Sequence, residues 1–527
     1  MLTYDADIAI VGSGFSGAML AMIARRLGHS AVLIERGSHP RFAIGESTTP
    51  LTNLMIEEIA DAYDLPRLRP FSKYGTWKRA YPGVACGLKR GFTFVRHESG
   101  APFAAAADHG DQLMVAASPH DDIGDVHWYR PDFDHFLVRE AESMGVTSLD
   151  RTDIHTVHLS ADGSMLRGKR GADELTVHAR LVVDATGPRG FLHRQLTLGD
   201  RDLPGLPRTQ TLFTHFTGVR RFADVAPAAF AGAPPYPPDD AALHHVFDGG
   251  WIWVLRFENG ITSAGIAATE QLANDLDLRE GAAGWARLMS RFPSIGAQFA
   301  DAVPTQAFTW WPRLSFYSDR LTGDGWVMLP SAAGIVDPLL STGFPLTLLG
   351  IQRVAAIIAE SWGTPALWHN FRHYAARSTA ELETTARLVG ALYDAFGDWE
   401  RFTALSNLYF AAVSYAESAR RIGHKALAGD AFLLGAREPF ATERDACLAL
   451  AARYRDDRTP ERRTALLDAI AHAIAPINVA GLADASRHNW YPALADDILA
   501  SAGKLNASRG EVLAMLARCG FSPKAQE

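Results

Sequence analysis

The hydrophobic and polar positions at the N-terminal end of the chain change from one period to another. Residues 7–11, apolar from Ile8 to Val11, predict a buried strand, and residues 18–28 carry apolar side chains at helical spacing until Gly28. A second apolar run, residues 31–34, predicts another buried strand that Glu35 closes. A strand, a helix and a second buried strand in this order are typical of a parallel sheet.

Three later segments extend this pattern. Residues 179–184 form another buried strand, and residues 325–347 predict a strand, a turn of small residues and the start of a helix. Residues 225–242 are rich in proline and alanine, so we expect an extended loop that cannot join a sheet, either a surface connection or a flap over a binding site. From residue 351 onward, alanine- and leucine-rich segments at helical spacing predict a mostly helical part.

Composition narrows the class of protein. The 527 residues, 47% of them hydrophobic and 21% charged, are enough for a core that encloses a cofactor. A net charge of −8 argues against nucleic acid or an anionic membrane as the partner. We find no run of about 18 apolar residues and no signal peptide. The three cysteines are far apart, and the 19 histidines are scattered, so we expect a cytoplasmic protein with reduced thiols and no metal site.

The glycines after the first strand predict a dinucleotide site. Gly12, Gly14 and Gly17 have G-x-G-x-x-G spacing between the strand and the helix. The first permits a tight turn, the second lets the backbone approach a pyrophosphate, and the third allows the helix to pack closely on the strand. The helix N-terminus offers free N–H groups to the phosphates, and Glu35 can accept both hydroxyls of an adenosine ribose.

The later segments indicate which dinucleotide binds. The polar loop at residues 39–50, the strand end at residues 179–190 and the turn at residues 325–347 all return to a nucleotide-sized site with small residues, as the long FAD requires. We find only one G-x-G-x-x-G pattern in the sequence, so we predict that a separate reductase supplies the reduced flavin.

Residues 249–260 combine two tryptophans with a nearby arginine. Trp251 and Trp253 stand two apart in a strand-like run, so their indoles would share a face, and Arg256 follows within the same run. The two indoles either pack in the core or shield something. Arg256 either binds an acidic group of a substrate or pairs with Glu258. The adjacent His244 and His245 would point to opposite faces of a strand.

With these motifs in order, the sequence resembles the flavin-dependent halogenases, especially the branch that acts on pyrroles and phenols and the type that halogenates an aminophenylpyrrole. The resemblance covers most of residues 5–350 and is carried, in order, by the stretches GSGFSG, HPRFAIGES, GLKRGF, HWYRPDFDHFLV, GGWIWV, RFPSIGAQF and DPLLSTG.

The resemblance implies an α/β fold with an FAD-binding Rossmann-like domain of the hydroxylase type, an inserted mixed β-sheet region for the substrate and a mostly helical C-terminal part. We therefore predict an FAD-binding and halogenase core at residues 1–350, with interleaved substrate-region strands at about 70–130 and 205–320. Residues 351–527 would form the helical part beside the substrate cavity, where Phe396, Trp399, Phe402 and Tyr409 either line the cavity or pack in the core.

The resemblance also implies a reaction at two sites. Reduced FAD, oxygen and chloride or bromide give hypohalous acid, which travels to an electron-rich aromatic substrate and meets a lysine there. Lys89 matches that lysine, with Lys78 as the alternative if Lys89 is exposed. The halide would bind at Thr342 and Gly343, unless Thr342 or Ser341 is an ordinary helix cap.

Two departures from the family pattern bear on the substrate and the reaction. Trp251 and Trp253 match a barrier between flavin and substrate, but Arg256 replaces the proline that normally follows, which leaves a flavin hydroxylase open as the alternative. In the tryptophan-type enzymes a glutamate stands before Ser-Thr-Gly, where this chain has Leu340. A phenol or pyrrole, which carries its own activation, is therefore the expected substrate.

The resemblance and the motifs together predict the residues that contact the cofactor. These are Gly12, Gly14, Gly17, Glu35, Arg41, Ile44, Gly45, Glu46, Ser47, Arg130, Asp184, Gly187, Ser331, Gly334, Asp337 and Phe344. The expected function is FAD-dependent halogenation in secondary metabolism, with a flavin reductase as partner and a small aromatic substrate, free or tethered to a carrier protein. The alternatives are a flavin monooxygenase on the same scaffold and a flavoprotein without oxygenase chemistry.

Overall fold

The computed structural model describes residues 2–521, an α/β protein with four sheets. Its strands, in chain order, are β1 Leu2–Val11, β2 Ala31–Ile34, β3 Cys86–Lys89, β4 Gly91–Arg96, β5 Gln112–Ala116, β6 Asp125–Trp128, β7 Thr147–Leu149, β8 Thr152–His158, β9 Ser164–Arg170, β10 Asp173–Asp184, β11 Asp200–Arg201, β12 Thr209–Thr217, β13 Ala242–Phe247, β14 Gly250–Arg256, β15 Thr262–Thr269, β16 Val303–Pro304, β17 Thr309–Trp311, β18 Phe316–Ser318, β19 Thr322–Gly323, β20 Trp326–Met328, β21 Gly334–Ile335 and β22 Trp490–Tyr491.

Helices alternate with these strands and then dominate the C-terminal third of the described chain. They are α1 Phe15–Arg26, α2 Pro50–Ala62, α3 Tyr74–Ala80, α4 Arg130–Ser143, α5 Phe191–Gln195, α6 Phe222–Val225, α7 Glu270–Asp275, α8 Ala282–Arg291, α9 Pro293–Gln298, α10 Pro330–Ala333, α11 Gly343–Ser361, α12 Ala366–Tyr393, α13 Trp399–Ile422, α14 Lys425–Ala428, α15 Phe440–Asp456, α16 Pro460–Ile474, α17 Ala495–Ala500 and α18 Arg509–Cys519.

The first sheet is the one that the N-terminal pattern predicts. Its main strand order is β19-β20-β10-β1-β2-β7, and β1 pairs in parallel with both β2 and β10. The strand centres are continuous apolar runs because helices cover a parallel sheet on both faces. The predicted strands and the helix that ends before Gly28 are therefore confirmed.

The second large sheet has the order β16-β12-β15-β14-β13-β4-β5-β22, with β17 beside β12. Strand β14 carries the two tryptophans, whose side chains belong to the main hydrophobic core, whereas Ile252 and Val254 between and after them belong to a second core. The indoles therefore share one face, as the period of two predicts. Strand β3 lies beside this sheet and pairs with β6.

The described C-terminal part is mostly helical, as predicted. Helix α11 is long and apolar enough to cross a membrane, but 61% of its most apolar window is buried inside the protein, and α11 packs against α1, α2 and α12. The same helix runs through residue 350, where we predict the boundary between the two parts of the chain. That boundary stays a prediction.

The proline-rich segment at residues 225–242 differs from the extended loop that we predicted. Pro227–Phe230 forms a short 3-10 helix after α6. Farther along, the hydroxyl of buried Tyr236 donates to the carbonyl of Phe92 over 2.6 Å, and Asp239 accepts from the N–H of Phe222 over 2.7 Å. The first hydrogen bond holds the segment against β4 and the second holds it against the start of α6, because buried polar groups need partners.

Candidate functional site

The turn after β1 requires glycine at two of the predicted positions. Gly12 has φ +103°, and a Cβ there would lie 2.6 Å from the carbonyl carbon of Ala185. A Cβ on Gly17 would lie 1.9 Å from the carbonyl oxygen of Gly12. The turn therefore packs against the residue that follows β10, and the first turn of α1 packs against the glycine turn, both more closely than any side chain would allow.

Glu35 lies at the end of β2, beside this turn. Its carboxylate accepts hydrogen bonds from the N–H of Ser13 over 3.2 Å and from the N–H of Gly37 over 2.8 Å, and it pairs with Arg41 over 3.1 Å. Burial acts to raise the pKa of Glu35, but Arg41 and these N–H groups hold it below its ordinary value. The carboxylate is thus ionised and able to accept hydrogen bonds from the hydroxyl groups of a ribose.

Two arginines converge on the glycine turn. A Cβ placed on Gly14 would lie 3.4 Å from Nη2 of Arg130 and 3.8 Å from Nη2 of Arg41. Arg130 is fixed by two 2.7 Å hydrogen bonds to Asp134 and by donation to the carbonyls of Ile44 and Gly45. Nε of Arg41, although buried, has no hydrogen-bond partner among the described atoms. Two guanidinium groups beside a helix N-terminus fit the pyrophosphate of FAD.

The other predicted cofactor residues lie at α1, at the turn after β10, and in α10 and β21. Phe344 packs on Phe15 at 5.2 Å between ring centroids. Asp184 accepts the N–H groups of Thr186 and Leu192 and so builds the turn that contains Gly187. Ser331 is in α10 and Gly334 is in β21, at a three-stranded sheet with β11 and β18.

Two residues of the predicted flavin loop make contacts that the sequence did not predict. The carboxylate of buried Glu46 pairs with Nε2 of His215 over 2.8 Å, and Oγ of Ser47 accepts from Nζ of Lys89 over 2.9 Å. His215 is 169 residues from Glu46, so no local pattern predicts that pair. The loop thus connects the glycine turn to the lysine.

Lys89 is completely buried, with 0% of its side chain exposed. Besides Ser47, its ammonium donates to the carbonyl of Thr48 over 2.5 Å and lies 3.7 Å from the ring centroid of Phe92. Burial lowers the pKa of Lys89 and raises the pKa of Asp125, the residue opposite it on β6, while the attraction between the two opposes both shifts. By contrast, Lys78 is at the surface and pairs with Glu258.

Aromatic side chains connect Lys89 to the tryptophan strand. The imidazole of His244 stacks on Phe94 at 4.4 Å and lies 5.2 Å from Trp251, and its ring is 5.8 Å from Phe92 beneath the lysine. Burial, and after it the charge of Lys89, lowers the pKa of His244 to about 3. His244 is therefore neutral, while His245 points to the other face and contacts Gln298, as the strand pattern predicts.

The indole of Trp251 begins a buried chain of hydrogen bonds. Its Nε1 donates to the hydroxyl of Tyr393 over 3.1 Å, and that hydroxyl donates to Oδ2 of Asp337 over 2.8 Å. Burial raises the pKa of Asp337 to about 7. Tyr393 comes from α12, and the sequence pattern did not predict its part in the site.

Arg256 does not pair with Glu258, so that interpretation is wrong. Its Nη1 donates to the carbonyls of Val219 and Arg220 over 3.0 and 3.3 Å. Glu258 instead contacts Lys78 and the hydroxyl of Tyr74. Arginine can replace proline here because β14 ends at this residue, where the side chain can turn toward a neighbouring loop.

The predicted halide residues lie at the start of α11. Helix α11 begins at Gly343, and Thr342 precedes it without a side-chain hydrogen bond to the helix end. Ser341 has φ +53°, and the carbonyl of Leu340 accepts from the hydroxyl of Tyr409 over 2.8 Å. The first N–H groups of α11 are thus free of a side-chain cap, as an anion site needs.

Comparison with known proteins adds independent information. Residues 126–400 match the protein family described as tryptophan halogenase. The chain is 30% identical over 410 residues to monodechloroaminopyrrolnitrin halogenase PrnC of Pseudomonas fluorescens, which covers 76% of this chain and 70% of that protein. It is also 30% identical over 349 residues to tetracycline 7-halogenase of Kitasatospora aureofaciens, covering 65% of this chain and 61% of that protein.

Solved structures show the same fold. The crystal structure of halogenase PltM in complex with phloroglucinol and FAD superposes with a TM-score of 0.79 at 24% identity, and covers 92% of this chain and 99% of PltM. The flavin-dependent brominase Bmp2 superposes with a TM-score of 0.56 at 17% identity, and covers 92% of this chain and 97% of that chain.

Proposed function

The chain belongs to the flavin-dependent halogenase family, and from this premise we propose that it halogenates an electron-rich phenol or pyrrole at Lys89. It is an FAD-dependent enzyme, and the predicted family, cofactor and reaction class are confirmed. The observation that carries the proposal is the fully buried ammonium of Lys89, which aromatic side chains connect to Trp251.

The residues around the glycine turn have the chemistry to hold FAD. Arg130 and Arg41 face the position of the pyrophosphate beside Gly14, and the ionised carboxylate of Glu35 accepts the ribose hydroxyls. Bound reduced FAD would supply, together with oxygen, the oxidising power that converts chloride or bromide to hypohalous acid. The N–H groups at Thr342 and Gly343 bind the halide without a metal.

The remaining residues control where the oxidant reacts. Trp251 and Trp253 are a wall of apolar surface that keeps the aromatic substrate from the flavin. Lys89 donates a hydrogen bond to the oxidant beyond that wall, where exclusion of water strengthens the interaction. The helical part after residue 350 closes this side, because Phe402 packs on Phe94 and Phe410 packs on Phe92.

The names of the relatives support an aromatic substrate. They include proteins named for tetracycline and for a pyrrole carbonyl group on a peptidyl carrier protein. We propose a phenol or pyrrole for this chain, free or carrier-tethered, and a separate flavin reductase as the partner that supplies reduced FAD. We further propose that the enzyme acts in the cytoplasm.

Turnover with reduced FAD, oxygen and bromide or chloride tests the proposal. Phloroglucinol is the probe, and mass spectrometry reads the product. Replacement of a hydrogen by a halogen supports the proposal, whereas addition of one oxygen would assign the enzyme to the hydroxylases. Reduced flavin consumed without any change in the mass of the probe, and without trappable hypohalous acid, would also contradict it.

A further inference from the structure

A cavity of about 110 Å³ lies beside Asp125. It lies between α2, β5, α13 and α18, and its lining includes Asn53, Ser118, Asp125, Arg421 and Tyr491. Its size is close to that of a cavity of about 150 Å³ that holds one benzene ring. The inference drawn from it rests on the proposed function, because it concerns the substrate of that reaction.

Three polar atoms in the lining residues have no hydrogen-bond partner among the described atoms. They are Oδ1 of Asn53, Oγ of Ser118 and Oδ2 of Asp125, and each of these residues is at most 3% exposed. A buried polar group that has no hydrogen-bond partner destabilises the folded protein. Three such atoms around one cavity are explained if a ligand supplies hydroxyl or N–H donors to them.

Asp125 links this cavity to the lysine. It faces Lys89 directly across the antiparallel pair β3 and β6, and opposite residues in such a pair project to the same side of the sheet. The amide of Asn53 donates to Oδ1 of Asp125 over 2.7 Å, which fixes the carboxylate and leaves Oδ2 available. The same carboxyl group therefore faces both the cavity and the proposed halogenating lysine.

The charges in the lining restrict the ligand. The charged lining residues are two acids, Asp125 and Glu417, and two bases, Lys73 and Arg421. Arg421 already pairs with Glu417 and with Glu57, and Lys73 donates to the carbonyl of Cys519 over 3.0 Å. The cavity thus has no excess positive charge for a carboxylate or phosphate, and it suits a neutral ring with hydroxyl donors.

We propose that this cavity binds a hydroxylated aromatic ring and that Asp125 is a catalytic base, which accepts the proton of the ring hydroxyl during halogenation. As that proton moves to Oδ2, the ring carbon forms a bond to the halogen of hypohalous acid, and the halogen–oxygen bond breaks. The departing hydroxide takes a proton from the Lys89 ammonium and leaves as water. The ring C–H proton then passes to the lysine amine, and Asp125 returns its proton to the ring oxygen, so that the sum is Ar–H + HOX → Ar–X + H2O.

Two probes of equal ring substitution test this assignment on the FAD-loaded enzyme. Phloroglucinol has three hydroxyls, whereas 1,3,5-trimethoxybenzene is electron-rich but has no proton to donate. Calorimetry in the absence of halide should show that the wild-type enzyme binds phloroglucinol at least tenfold more tightly than the trimethoxy compound. Equal affinity for the two probes would overturn the inference.

The variant Asp125→Asn removes the base but keeps the shape of the side chain. We expect its kcat with phloroglucinol to fall at least 100-fold, within the range of general base catalysis. Its affinity for phloroglucinol should fall about tenfold, because an N–H replaces the acceptor, and its affinity for trimethoxybenzene should not change. Asp122→Asn is the matched control, since Asp122 is an exposed partner of Arg79, and it should behave as wild type.

A second measurement separates this inference from the proposed function. Without any aromatic substrate, a chemical trap should show that Asp125→Asn and the wild-type enzyme form hypohalous acid at the same rate. If the wild-type enzyme forms no hypohalous acid, the proposed function fails. If it does, and Asp125→Asn halogenates phloroglucinol within threefold of the wild-type rate, only the role of Asp125 fails. Should Asp125→Asn not fold, Ser118→Ala decides, with an expected loss of affinity for phloroglucinol alone.

Discussion

Replacing Lys89 with methionine is expected to abolish halogenation while leaving the flavin site intact. Methionine has nearly the length of lysine and can fill the space above Phe92, where the ammonium now lies 3.7 Å from the ring centroid. The change removes the two hydrogen bonds of Nζ, to Ser47 over 2.9 Å and to Thr48 over 2.5 Å. The glycine turn and the two arginines beside Gly14 are not altered.

The expected fall in kcat follows from the loss of one hydrogen-bond donor to the oxidant. One positioned donor in a water-excluded site contributes about 2.7–4 kcal/mol to the transition state, and about 1.36 kcal/mol is a tenfold change in rate. Lys89 has no exposed surface, so water cannot replace the lost donor. We therefore expect kcat for halogenation to fall by roughly 10² to 10³.

The assay compares Lys89→Met with Lys78→Met, a matched control in which the lost ammonium is at the surface and pairs with Glu258. Product is measured by mass, free hypohalous acid by a chemical trap, and FAD affinity by titration. Lys89→Met should form hypohalous acid and bind FAD as the wild-type enzyme does. Product formation by Lys89→Met within threefold of wild type would refute the assignment of the lysine.

Three further predictions concern the site and its support. Tyr393→Phe removes the hydroxyl between Trp251 and Asp337, and because the indole loses its fixed position, the ratio of halogenated product to oxygen consumed should fall at unchanged FAD affinity. A ratio equal to that of wild type would exclude a role for the hydroxyl. Burial raises the pKa of Asp337 from 3.8 to about 7, so its neutral form stabilises the fold below about pH 4, and this contribution, roughly 4 kcal/mol, is lost as the pH rises to 7. Urea unfolding of Asp337→Asn should therefore lack that part of the pH dependence, and an unchanged profile would contradict the raised pKa. Gly17→Ala places a Cβ 1.9 Å from the carbonyl oxygen of Gly12 and should lose FAD binding in titrations, whereas Gly83→Ala, with no atom within 4 Å, should retain it.

The glycine turn after β1 was predictable because its requirements are local. A tight turn between β1 and α1 needs glycine for reasons of backbone geometry, and those glycines stand within six residues of one another. The buried strands and the helical C-terminal part were predictable from hydrophobic period. The same period placed Trp251 and Trp253 on one face, whereas it could not indicate what those indoles contact.

Only the tertiary structure decided the surroundings of the lysine. Ser47 approaches Lys89 from 42 residues away, and Tyr393 approaches Trp251 from 142 residues away. The cavity beside Asp125 combines residues from α2, β5, α13 and α18. The partner of Arg256 was wrongly predicted for the same reason, since a nearby opposite charge is visible in the sequence but a carbonyl on a distant loop is not. Hydrogen bonds between distant segments leave no periodic pattern in the chain, because the geometry of the packed strands and helices selects them.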